Sequence, residues 1–126
     1  MTQMKQGILI VDDDKDLGDM LLQLLNHYLP DANLMLADNG FKAGDLLHTF
    51  TPNIVLLDLM MPEIDGFSIC QRIKSIPDTE HITVIAMTGN HSDENIQRIL
   101  SLGALTCIAK PIDFKSLTAI INSVKY

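Results

Sequence analysis

Short apolar runs rich in branched residues recur at positions 8–11, 34–37, 54–57, 82–87 and 105–109, each bounded by polar or turn-forming residues. These runs predict five β-strands. Between and after them the apolar positions return at helical spacing. Leu17, Met20, Leu21, Leu24 and Leu25 mark a first helix, and Phe41, Ala43, Leu46 and Leu47 a second. Phe67, Cys70 and Ile73 mark a third, Ile96, Ile99 and Leu100 a fourth, and Phe114, Leu117, Ile120 and Ile121 a fifth. Asp14, Asp38, Asp65, Ser92 and Asp113 precede these stretches, where a short side-chain oxygen can accept from free helix amides. Strict strand-helix alternation implies an α/β fold with a parallel sheet, since parallel neighbours need a crossover and a helix is the usual one. Nearly continuous apolar strands fit a sheet covered on both faces. No repeat or linker interrupts the pattern, so residues 1–126 are expected to form a single domain.

Composition narrows the function classes. The chain has 126 residues, enough to bury a core without disulfides or structural metal. No apolar run approaches the roughly 18 residues of a membrane span, and positions 1–7 do not form a secretory signal, so a soluble, cytoplasmic protein is expected. A net charge of −7 with scattered basic residues argues against direct nucleic-acid binding. Cys70 and Cys107 are not closely spaced with each other or with the four histidines, which suits neither a zinc site nor a disulfide framework. Both read as reduced, buried thiols.

The chemistry lies where strands end. The first strand runs into Asp12, Asp13 and Asp14, and the third runs into Asp58. In open parallel sheets ligands bind beyond the carboxyl ends of the strands, so these acids can meet. Adjacent carboxylates repel one another, and an all-oxygen set favours magnesium or calcium over softer metals. The fourth strand ends in Thr88-Gly89 and the fifth in Lys110-Pro111, bringing a hydroxyl and an ammonium to the same edge. Phosphoryl transfer needs mainly positioning and charge neutralisation, which metal, lysine and hydroxyl can share while one aspartate acts as nucleophile. Taken singly, Asp14 is a helix cap, Thr88 a turn residue and Lys110 a surface charge, whereas Asp58, directly after a buried strand, is harder to assign to a cap or turn. Their joint placement carries the reading.

Ile8-Leu-Ile-Val-Asp-Asp-Asp14, Leu56-Leu-Asp-Leu-Met-Met-Pro-Glu-Ile-Asp-Gly66, Met87-Thr-Gly89 and Lys110-Pro111 together resemble the bacterial two-component response regulator receiver, of chemotaxis-regulator-like kind, across the whole chain. The resemblance implies a flavodoxin-like (βα)5 sandwich with strand order 2-1-3-4-5. It implies that a sensor histidine kinase or histidine phosphotransfer protein delivers a phosphoryl group to Asp58, and that the domain then switches contacts with a downstream effector. Mg2+ would be contacted directly by Asp13, Asp58 and the backbone carbonyl of Met60, with Asp12 acting mainly through water. Thr88 and Lys110 would bind phosphoryl oxygens, and Pro111 would follow a cis peptide bond. Met60 and Asn90 fall at positions that in the family help set phosphoryl lifetime. The face of the fourth helix, fifth strand and fifth helix usually carries output or dimer contacts; here Ile96, Ile99 and Ile120 are more simply core, and a homodimer is left open. One position departs from the pattern: three residues before the lysine the family commonly has an aromatic that moves inward, and here it is Cys107, read as core filling rather than a redox sensor. A change at Thr88 would then reach the surface through its loop and the fourth helix.

Four other readings compete, of which nucleotide binding is the weakest because neither glycine-rich phosphate-loop pattern occurs. A haloacid-dehalogenase-like phosphatase needs an acid two residues after the nucleophile, where Met60 cannot protonate a leaving group. An EF-hand beginning at Asp12, Asp14 and Asp16 fails at Leu17 and Gln23, in place of the turn glycine and bidentate glutamate. A degenerate receiver, working only as an interaction module, conflicts with the full set of pocket residues. Activity beyond self-phosphorylation and self-dephosphorylation at Asp58 is therefore not expected, and the chain does not show whether it is free-standing or excised from a larger regulator.

Overall fold

The computed structural model describes residues 6–63 and 65–124. Positions 1–5, at the polar opening, Ile64 within the long acidic motif, and Lys125 and Tyr126 after the last helix lie outside the described residues. Five strands alternate with five helices: β1 (Gly7–Val11), α1 (Lys15–Tyr28), β2 (Asn33–Ala37), α2 (Gly40–Thr49), β3 (Ile54–Asp58), α3 (Gly66–Ser75), β4 (Thr83–Thr88), α4 (Asp93–Ser101), β5 (Thr106–Ala109) and α5 (Phe114–Ser123). All neighbouring strands pair in parallel, in the order β2-β1-β3-β4-β5. This is the flavodoxin-like arrangement expected.

Side chains alternate across a strand, so each central strand feeds two cores. Leu9, Val11, Val55, Leu57, Val84 and Ala86 face one side and pack with Ala43, Phe67, Cys70, Ile73 and Ile99 from α2, α3 and α4. Ile8, Ile10, Ile54, Leu56, Ile85 and Met87 face the other and pack with Leu21, Leu25, Leu117 and Ile121 from α1 and α5. The sheet is thus the middle of three layers. Strand β3 is buried along its whole length and β1 and β4 at all but their first residue, whereas the edge strands β2 and β5 are only partly buried. An edge strand lacks a neighbour on one side, so less of its surface is covered. Among the described residues no helix is long and apolar enough to cross a membrane.

Several sequence expectations need correction. Strand β4 runs one residue later than its apolar run, because Ile82 is held in the preceding turn by its N–H to Thr79 O while Thr88 pairs with Ala109. Phe41 does not face the core but is 80% exposed. It lies two residues, or about 200°, from Ala43 around the helix, on the face of Asp45 and His48. Met20 and Leu100 likewise fall off the buried stripes of α1 and α4 and are exposed, and Ile96 and Ile120 are half-buried. Cys70 is buried, but Cys107 is only half-buried. Burial pushes both thiols up from the ordinary range, despite the opposing charge of Lys74 near Cys70, so neither is poised as a thiolate.

Asp14, Asp65, Ser92 and Asp113 cap their helices as expected. Helix α2 is the exception. It starts at Gly40, so Asn39 stands at the capping position and its side-chain oxygen accepts from Lys42 N–H at 2.8 Å. Asp38, one residue too early, instead accepts from Asn39 Nδ2 and pairs with Lys42 Nζ at 3.2 Å. Asn39→Ala should therefore cost about 1 kcal/mol in urea unfolding. Asp38→Ala, which removes an exposed ion pair, should cost under about 0.5 kcal/mol. Equal losses would contradict the assignment of the cap.

Candidate functional site

Strand register alone gathers the chemistry at one edge. Val11 pairs with Leu57, Asp58 with Met87, and Thr88 with Ala109, so Asp12, Asp58, Thr88 and Lys110 all stand at the carboxyl ends of adjacent strands. The strand order reverses between β1 and β3, the place where such sheets open a crevice. Asp12 is fully buried and Asp58 is 3% exposed, while Asp13 is exposed to solvent. Carboxylate oxygens from Asp12, Asp13 and Asp58 lie within 4.8 Å of one another. Asp14 is not part of this cluster; its N–H donates to Asp12 Oδ1 at 2.9 Å and its side chain caps α1.

Lys110 crosses from the end of β5 to meet the acids. Its ammonium donates to Asp12 Oδ2 at 3.0 Å and lies 3.4 Å from Asp58 Oδ1. Burial alone would pull the Lys110 ammonium down, but the hydrogen bond and charge of Asp12, with the charge of Asp58, hold it above the ordinary lysine value. It stays protonated. Asp58 moves the other way from a normal acid: burial, then the neighbouring Asp12 charge, push its carboxyl up to about 6 against the opposing Met60 N–H and Lys110. The buried Asp12 and Asp58 share the Lys110 ammonium, and the solvent-facing Asp13 brings a third carboxylate to the cluster. Such a site has the oxygen donors and the excess negative charge that suit a hard divalent cation such as Mg2+.

The remaining expected residues frame the crevice. Thr88 is fully buried at the end of β4, and its Oγ1 accepts from Asn90 N–H at 3.0 Å, leaving the hydroxyl proton free to donate elsewhere. Met60 is 49% exposed, and its N–H turns back to Asp58 Oδ1 at 3.2 Å, so its peptide forms part of the rim. Lys110 N–H donates to Thr88 O at 2.9 Å, and the Lys110-Pro111 bond is cis, as expected. A separate groove of about 720 Å3 between α2 and α3 is lined by Phe41, Leu47, His48, Ile69 and Arg72 and holds none of the clustered acids.

Two residues that matter here carried no assignment from sequence. Gly66 opens α3 directly against the end of β3, where a Cβ would meet the Asp58 carbonyl oxygen and lie 2.7 Å from Leu59 Cα. It was visible only as the end of the Asp-Gly motif, without a reason for the glycine. His91 reaches from the loop after β4 to the Cys107 carbonyl at 2.9 Å. No periodicity or spacing marks such a loop residue.

The response regulator receiver domain model matches residues 8–122. The chain belongs to that family. This receiver is a phosphoacceptor domain of two-component signal transduction, and its acidic cluster fits the phosphorylation site of the family. It is 53% identical to the signal receiver domain of a DNA-binding response regulator from Colwellia psychrerythraea 34H, with a TM-score of 0.91 over 94% of this chain and 96% of that one. Sporulation initiation phosphotransferase F of Bacillus subtilis is 38% identical over 114 residues, covering 90% of this chain and 89% of the relative. A probable cyclic di-GMP phosphodiesterase of Vibrio cholerae is 35% identical over 116 residues, but the match spans 92% of this chain and only 26% of that protein. Receivers of this kind therefore occur both as nearly whole proteins and as parts of longer ones.

Proposed function

We propose that this chain acts as one receiver domain in which Asp58 is the phosphoacceptor. The observation that carries the reading is the buried Asp12–Asp58 pair sharing the Lys110 ammonium at 3.0 and 3.4 Å at a parallel-sheet switch point. An Asp58 carboxylate oxygen attacks the phosphorus of a phosphohistidine or a small acyl phosphate. The new oxygen-phosphorus bond forms as the bond to the donor breaks, and the donor leaves with its electron pair. With its carboxyl at about 6, Asp58 is mostly ionised at neutral pH and able to attack. Lys110 turns from the acids to a phosphoryl oxygen, and the Thr88 hydroxyl donates to another. Mg2+ bound by Asp13, Asp58 and the Met60 backbone carbonyl, with Asp12 through water, would neutralise charge on the transferred group.

The phosphoryl source is a sensor histidine kinase or histidine phosphotransfer protein, and the product switches contacts with an effector protein or an effector domain. Beyond self-phosphorylation and self-dephosphorylation at Asp58, the domain carries no enzymatic activity of its own, and it works in the cytoplasm. The reading is tested by intact mass after treatment with acetyl phosphate and Mg2+. A single phosphoryl adduct is expected on the native chain, none on Asp58→Asn, and none when the metal is chelated. A folded native sample that takes no adduct, or an Asp58→Asn sample that takes one in full, overturns the assignment.

A further inference from the structure

The loop after β4 is tied down at both ends. Asn90 N–H donates to Thr88 Oγ1 at 3.0 Å, Asn95 Nδ2 of α4 donates to Asn90 O at 3.0 Å, and Ser92 caps α4. Between these ties, the exposed His91 ring reaches out of the loop to the Cys107 carbonyl on β5 at 2.9 Å. A carbonyl only accepts, so Nε2 carries the proton in this bond. His91 follows Thr88 by three residues and Cys107 precedes Lys110 by three, so one side-chain bridge joins the two segments that bear the phosphoryl-binding groups.

Sheet order gives this bridge a direction. Strand β4 lies between β3 and β5. When Thr88 is drawn toward a phosphoryl group on Asp58, at the end of β3, the loop it carries moves away from β5 and from the Cys107 carbonyl. The ties to Asn90 and Asn95 move with the loop and α4, whereas the bridge to β5 is stretched. We propose that His91 is a latch that holds the β4–α4 loop on β5 in the unphosphorylated state and releases as Thr88 closes on the phosphoryl group. The latch rests on the reading of Asp58 as acceptor. Cys107 supplies only its carbonyl, and its small side chain is no substitute for a moving ring.

A bond present in the resting state and broken in the other favours the resting state, so removing it tightens phosphoryl-analogue binding. The test is titration of the protein with beryllofluoride and Mg2+, followed by amide NMR of residues 88–95 and 106–110, in the native chain and three variants. His91→Ala should bind about two- to tenfold more tightly, the range for loss of one hydrogen bond. Its loop amides in the free protein should also shift toward their beryllofluoride-bound positions. Glutamine places an amide nitrogen as many bonds from Cβ as Nε2, so His91→Gln should restore native affinity and shifts. The shorter His91→Asn should behave like alanine. Unchanged or weaker binding in His91→Ala, while the native chain binds, overturns the latch alone. So does a glutamine variant that matches alanine. A native chain that takes no beryllofluoride overturns the acceptor reading, and the latch with it.

Discussion

Asp58→Asn is expected to stabilise the metal-free protein by about 2–3 kcal/mol at pH 8, even as it abolishes phosphoryl uptake. The sign follows from the raised carboxyl. Below pH 4 the acid is protonated in both folded and unfolded chains and contributes no difference. As pH rises from about 4 the unfolded chain releases this proton, while the folded chain keeps it until about 6. Over that window the folded state binds more protons, so stability falls with rising pH, and above it the loss is complete. Asparagine has no proton to lose, and its side-chain oxygen can still accept from Met60 N–H. The measurement is urea unfolding followed by far-UV circular dichroism, since the chain has no tryptophan, with a chelator present between pH 4 and 8. The two stability curves should converge near pH 4, separate between pH 4 and 6 and run parallel above that. A native protein more stable than the variant at pH 8 would mean that attraction to Lys110 outweighs burial and the Asp12 charge. Mg2+ should narrow or invert the difference, because it stabilises only the chain that retains the full set of acids.

Gly66→Ala is expected to cost about 3 kcal/mol or more, a large value for adding one methyl group. The added Cβ would press on the Asp58 carbonyl oxygen, lie 2.7 Å from Leu59 Cα and 3.0 Å from Leu59 Cδ2. The first two belong to the backbone of β3 and its extension, which cannot turn away as a flexible side-chain tip can. Relief requires α3 to separate from the end of β3 or the acceptor strand to shift, and either displaces Asp58. Gly44→Ala is the matched control: nothing lies within 4 Å of its built Cβ, and it sits inside α2. Alanine there should be neutral or stabilise by up to about 1 kcal/mol through helix propensity. The pair is measured by thermal and urea unfolding, with phosphoryl uptake as a second readout. Both should fall in Gly66→Ala and neither in Gly44→Ala. Similar, small effects at the two sites would show that the α3–β3 contact can relax.

The central strands were readable because complete burial removes the need for polar residues, so β1, β3 and β4 appear as unbroken apolar runs. Site residues were readable for a related reason: a charge directly after an apolar run, as at Asp12, Asp58 and Lys110, stands at the carboxyl end of its strand. What the apolar pattern did not fix was decided by tertiary position. Phe41 fits a loose helical count but lies on the outer face, because the inward direction of α2 is set by packing of Ala43, Leu46 and Leu47 on the sheet. The shift of the α2 cap from Asp38 to Asn39 depends on where the chain leaves β2. Gly66 and His91 draw their importance from what they touch, the β3 backbone and the Cys107 carbonyl, and those neighbours are distant in sequence or unmarked by type.

The Lys110–Asp12 contact joins residues 98 positions apart, and the crevice between them includes the end of β3. The receptive pocket is therefore among the most non-local features of the chain, assembled only when the last strand docks beside β4. A chain emerging from synthesis presents its acids long before the ammonium that offsets them, and until β5 is in place those carboxylates repel one another. Readiness of the proposed site to take up a phosphoryl group therefore depends on the whole sheet rather than on any one segment of the chain.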